Sequence, residues 1–265
     1  MAVRNRLVAL IGSFALLAAA CGGDAGPEIP LATVGADNIL FERGTNLLAD
    51  GNWRSAREHF LQIRDNYPQS PLRAETRLGI GDSLIAEGSI EAYISALSEF
   101  RDFLAQYPTH DRADYAQYRL GMVYFQQMRR PERDQADTRN AMVEFELFLE
   151  RYPNSPLRPE VENSLREARD RLSESYLVVA RYYHRRNWHP GAIDRLEQIL
   201  REDPTFTGRD AVYYYMADSL RKSEREDEAL EWFERLLEEY PQSEFVEDAT
   251  ESLAELRLSA QAAER

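Results

Sequence analysis

A single cysteine, Cys21, rules out any intramolecular disulfide, so the fold has to be held by packing alone. Positive charge is also short. The formal net charge is -14, and losing Arg4 and Arg6 with the first 20 residues leaves -16. Such a chain lacks the basic footprint that phosphate binding needs, which excludes nucleic acid as a partner. Glycine and proline are few, 13 and 12 among 265 residues, and they sit at particular places. With 43% hydrophobic residues, this is not a disordered composition. Histidines number only four and are scattered; His184 and His189, five apart with Pro190 following, have poor spacing for a metal on a helix. No nucleophile elbow occurs. The glycine-bearing run 79–84 lacks a third glycine and follows no strand pattern, which argues against a nucleotide loop. The carboxylates Glu224, Glu226, Asp227 and Glu228 read as a solvated face. No enzyme activity, cofactor or metal is expected.

The apolar stretch at the N-terminus is short as well. Arg4 and Arg6 precede an apolar run over 7–20, the length of a signal-peptide core and too short to span a bilayer comfortably. The run closes on Leu17, Ala18, Ala19, Ala20 and Cys21, which resembles a bacterial lipoprotein cleavage box, with Ala18 where a larger apolar residue is usual. That resemblance makes Cys21 the lipidated first residue of the mature chain. Gly22 after it implies the outer membrane. Residues 1–20 are thus expected to be a lipoprotein signal peptide, and 21–36, with four Gly and two Pro in 22–36, a flexible tether. A plain signal peptide with an incidental cysteine is the alternative.

The dominant signal is a repeat. The pattern Ala-x3-Phe-x6-Tyr-Pro recurs at Ala56/Phe60/Tyr67/Pro68, Ala96/Phe100/Tyr107/Pro108 and Ala141/Phe145/Tyr152/Pro153. Further copies stand at Ala192/Leu196/Asp203/Pro204 and Ala229/Phe233/Tyr240/Pro241. Alanine lets two helices approach closely, the residue four later fills the gap on the same face, and proline stops the helix. Twelve residues before the alanine lies a small residue in three copies: Gly44, Ala180 and Ala217. This predicts an all-α fold, an α-solenoid of five tetratricopeptide-like helix pairs. In the second and third copies Gly81 and Gly121 precede the alanine by 15 and 20, predicting inter-helix loops longer by 3 and 8 residues. Between Pro153 and Tyr176 there are 14 residues more than the usual spacing, almost four turns at about 3.6 residues per turn, which predicts one long helix over about 159–186. It would join an N-terminal half, 37–158 with three repeats, to a C-terminal half, 159–265 with two. A capping helix with a polar outer face is expected over 244–263.

One local charge feature departs from the acidic background. Arg181, Arg185, Arg186 and Arg195, with His184 and His189, face a single acid in that stretch, Asp194. The island suits docking of an acidic partner; internal pairing between neighbouring repeats is the other reading. The run Tyr213, Tyr214, Tyr215 is expected to serve inter-helix packing, because Tyr213 holds a core place in the repeat.

Several stretches resemble the BamD family, lipoprotein subunits of the outer-membrane β-barrel assembly (BAM) machine. They include 50–54, Asp114-Tyr115 with 118–121, Arg133-Asp134-Gln135 in the long third loop, 152–155, 170–172, Tyr182-Tyr183, Trp188 and 194–197. The resemblance runs over nearly the whole chain. It implies a protein on the periplasmic face of the outer membrane, anchored by its lipid. By this likeness the C-terminal half docks a POTRA domain of the barrel subunit BamA, with Arg195 at the family's pairing arginine. The same likeness implies other BAM lipoproteins as partners, and N-terminal repeats that receive unfolded outer-membrane proteins. Within the first repeat, the register places Asn38, Phe41, Thr45 and Leu48 on the concave face of the first helix as the client groove. A general cell-envelope scaffold coordinating peptidoglycan or polysaccharide machinery is the alternative.

Overall fold

In the computed structural model, residues 30 and 33–263 are described. Cys21, the signal segment and most of the tether lie outside them. The described residues form eleven α-helices and no strand: α1 (Ala36–Ala49), α2 (Trp53–Asn66), α3 (Arg73–Glu87), α4 (Ile90–Gln106), α5 (Ala113–Phe125), α6 (Ala136–Arg151), α7 (Arg158–Arg185), α8 (His189–Glu202), α9 (Arg209–Arg221), α10 (Glu226–Glu239) and α11 (Val246–Ala263). The first ten make five antiparallel pairs and α11 covers the end. Each helix packs on its chain neighbours. The first helices of successive pairs, α1, α3, α5, α7 and α9, also touch one another, which puts them on the inner side of the curved stack.

The repeat pattern is a packing device. Phe60, Phe100, Phe145, Leu196 and Phe233 are buried, as are Ala56, Ala96, Ala141, Ala192 and Ala229. The small residues of the first helices make room for these rings. A Cβ on Gly44 would stand 2.8 Å from Phe60, one on Gly81 2.5 Å from Phe100, and one on Gly121 2.3 Å from Phe145. Gly79 presses on Phe60 from the following repeat, at 2.7 Å. The glycine-bearing run 79–84 is therefore mid-helix packing surface. Tyr213 is fully buried, as its place in the repeat requires.

Two loop expectations come out differently. The third connection is long, ten residues between Phe125 and Ala136. The second is not. Only Gly88 and Ser89 separate α3 from α4, and the three extra residues lengthen the helices instead. Gly88 takes the left-handed conformation, φ 72°, which ends α3 at once. The Ser89 hydroxyl accepts the Ala92 N–H and starts α4.

The long helix is observed as α7, 28 residues entered with Pro159 in its first turn. Its N-terminal part is fastened on both sides. Arg169 pairs with Glu146 of α6 at 2.8 Å and Arg171 donates to the Arg129 carbonyl. On the other side, Arg166 pairs with Asp203 at the end of α8, and Asp170 accepts the Thr207 N–H. Among the described residues no helix is long and apolar enough to cross a membrane.

Candidate partner-docking site

The α7–α8 turn is a tight reversal. Asn187 adopts φ 58°, and the Trp188 N–H returns to the Tyr183 carbonyl at 2.9 Å. Pro190 then lies in the first turn of α8. Gly191 lets the Trp188 ring lie against α8: a Cβ there would come 2.7 Å from the indole. The ring meets Tyr183 edge-on, with centroids 4.5 Å apart, yet Trp188 stays 54% exposed. Tyr182 is 49% exposed beneath the Arg186 guanidinium, 5.7 Å from its ring.

The basic island divides in space. Arg181 lies 3.5 Å from Glu174, seven residues earlier on the same helix face, and over the Tyr215 ring at 5.3 Å. His184 Nε2 stands 2.6 Å from Asp218 Oδ2 on α9. Asp218 is buried and also takes Lys222 and Arg221, each at 2.7 Å. Burial pushes the Asp218 carboxyl upward, but His184, Lys222 and Arg221 outweigh it and hold the group well below the usual carboxylate range. His189 is buried, and burial together with the neighbouring His184 lowers its pKa. Arg181 and His184 thus tie α7 to α9, while Arg185 and Arg186 reach solvent.

Arg195 is half-buried, its Nη1 donating to Gln198 Oε1 at 2.8 Å. It lines two hollows. One, of about 420 Å³, lies between α7 and the third-repeat loop and is bordered by Arg133, Arg139, Tyr176 and Val179. The other, of about 320 Å³, is bordered by Tyr183, Trp188, Gly191, Asp194, Gln198 and Arg201. The loop wall is fixed by Gln135. This buried side chain donates to the Arg130 and Arg133 carbonyls at 2.9 and 3.0 Å and accepts the Thr138 hydroxyl. Asp134 accepts the Ala136 N–H at the start of α6. The Arg-Asp-Gln motif therefore shapes the loop and leaves Arg133 exposed. Sequence reasoning did not bring Arg133 or Arg139 to Arg195.

At the other end of the stack, Asn38 and Thr45 of α1 are exposed, Asn38 beside Asp37 and Thr45 donating to the Phe41 carbonyl. Phe41 and Leu48 are half-buried against the core of the first pair, with the Phe41 ring 5.7 Å from Phe60. Two of the four expected client-groove residues thus face solvent and two mainly pack.

The profile of a family described as outer membrane lipoprotein, YfiO, matches residues 35–216, and a tetratricopeptide repeat profile matches 210–243. Outer membrane protein assembly factor BamD of Caulobacter vibrioides is 26% identical over 167 residues, which cover 63% of this chain and 54% of that protein. The BamD of Vibrio cholerae is 25% identical over 191 residues, covering 68% of this chain and 76% of that one. The chain thus spans about half the length of the Caulobacter relative. The TPR2AB domain of yeast Sti1, solved as a pHSP90 complex, is 14% identical with a TM-score of 0.47, covering 87% of this chain and 86% of that one.

Proposed function

Since the chain belongs to the YfiO family of outer membrane lipoproteins, we propose that it is a lipid-anchored subunit of the outer-membrane β-barrel assembly complex. It is held by Cys21 on the periplasmic face and works by binding other proteins rather than by catalysis. The C-terminal half docks a POTRA domain of a BamA-like barrel subunit through Arg195, with Arg185 and Arg186 beside it and Arg181 bracing α7 against α9. The N-terminal half receives unfolded outer-membrane proteins along α1, where Asn38 and Thr45 make polar contacts to an extended chain and Phe41 and Leu48 form its apolar floor. Other lipoproteins of the complex bind elsewhere on the stack.

The observation that carries this reading is the family match across 35–216, a span that includes the third loop, the long α7 and Arg195. Arg195 supports it physically: it is an arginine with no carboxylate partner among the described residues, standing between two hollows in an acidic protein. Complementary potentials fix register and speed encounter.

Photo-crosslinking groups placed at Thr45 and at Gln198, next to Arg195, test both halves in native membranes. The expected products are unfolded outer-membrane clients from Thr45 and the barrel subunit from Gln198. Arg195→Glu should remove the second product and weaken co-purification, at a cost of about 2 kcal/mol or more, with helicity unchanged. Capture of peptidoglycan or polysaccharide proteins at both positions would refute the assignment.

A further inference from the structure

Trp188 is a large aromatic side chain held out of the core by local geometry. The left-handed turn at Asn187 presents it, the missing Cβ of Gly191 seats its indole edge, and Tyr183 supports it at 4.5 Å. Despite those contacts it remains 54% exposed. Interface hot spots have this character: an aromatic whose own position is fixed, so that binding orders little, beside arginines at the wall of a pocket.

The hollow it borders has two kinds of lining. Trp188, Tyr183 and the Gly191 backbone form an apolar side. Arg195 and Arg201 form a cationic side, opposed by Asp194. Among the described residues Arg195 is bound only to the neutral Gln198, and Arg201 makes a loose 3.5 Å pair with the exposed Glu197, so both guanidinium groups can donate to a carboxylate. The turn that bears Trp188 also carries Arg185 and Arg186, both exposed. On a chain of net charge -14, this is a concave site of the opposite sign with an aromatic wall.

We propose that the Trp188 hollow is the anchor pocket of the docking surface, taking an Asp or Glu side chain of the partner protein together with an adjacent apolar one. The carboxylate lies between Arg195 and Arg201, and the apolar group covers the indole. Trp188 then sets specificity: it rewards an acidic-apolar pair and gives little to an isolated acid. The inference rests on the docking reading above, and it adds an aromatic determinant that charge alone does not require.

The full-length chain is titrated with the purified periplasmic POTRA domains of the barrel subunit, and the dissociation constant is measured for the wild type, Arg195→Glu, Trp188→Ala, Trp188→Phe and Gly191→Ala. Circular dichroism and the thermal midpoint check folding. The expected result is a loss of at least about tenfold for Trp188→Ala, a smaller loss for Trp188→Phe, and a loss for Gly191→Ala, which displaces the indole without removing it. Acrylamide quenching of the exposed tryptophan should fall on binding in the wild type. If Arg195→Glu weakens binding while Trp188→Ala and Gly191→Ala do not, the anchor pocket is refuted and the docking reading stands. If the wild type does not bind the POTRA domains at all, both fall.

Discussion

Asp218 shows how single residues govern this stack. Its buried carboxylate joins α7 to α9 through His184 and is neutralised by Arg221 on its own helix and Lys222 just past its end. A buried carboxylate pays for its dehydration only when donors of this kind surround it. Its folded pKa lies below the ordinary carboxylate value. The contribution to stability is therefore complete above the unfolded value, near about 4, and is lost as pH falls toward the folded one. Asp218→Asn should lower the urea midpoint at pH 7, and the gap from the wild type should narrow below about pH 4. A gap that stays constant across that range would show that the carboxylate charge contributes nothing. At this scale the sequence was partly legible. Glu174 and Arg181 share a helix face two turns apart, so their pairing could be read from spacing. The Asp218–His184 contact spans 34 residues between different pairs and left no local mark.

At the scale of the helix pair, the small residue of the first helix and the ring of the second form a matched couple, and spacing predicts most of it. Gly121 and Phe145 are the tightest of the glycine–phenylalanine couples, 2.3 Å from an added Cβ. The ring has little room to retreat, because Phe125 lies 6.0 Å away and Phe148 is fully buried nearby. Gly121→Ala gains up to about 1 kcal/mol in helix propensity, but overpacking costs about 1–3 kcal/mol. The expected net effect is destabilisation of roughly 1–2 kcal/mol, read as a lower urea midpoint with an unchanged slope; an increase in stability would mean that the ring moves freely. What spacing could not give was the position of the second turn. The 15 residues from Gly81 to Ala96 fix a length, not where the chain reverses. Gly88 and Ser89 put the reversal into two residues and passed the surplus to the helices. The docking site has the same mixed legibility. Arg195 stood out by charge, but the hollow it shares with Arg133 and Arg139 forms only because Gln135 shapes a loop some 60 residues upstream, at the start of α6.

Along the stack, buried side chains among the described residues form four successive clusters, with the C-terminal one running from Leu177 to Leu256. Stability in such an array is a sum of pairs and neighbouring interfaces, so damage at one end should remain there. The helix α11 closes that end. It buries Ala249, Leu253 and Leu256 on the last pair, and Phe245 just before it stacks on Tyr214 with centroids 4.7 Å apart. Burying each leucine is worth about 1.5–3 kcal/mol, so deletion of 246–263 removes several kcal/mol from the α9–α10 pair and uncovers its apolar face. Hydrogen exchange should then quicken in α9 and α10, fade through α8, and leave α1 to α6 as in the full chain. The uncovered face should also promote self-association, visible by light scattering. Uniform loss of protection across all helices would mean that the stack folds as one cooperative unit. In that case the polar clamps of Arg166 and Asp170 on the α8–α9 connection, and of Arg169 on α6, would transmit strain along α7 rather than merely fasten it.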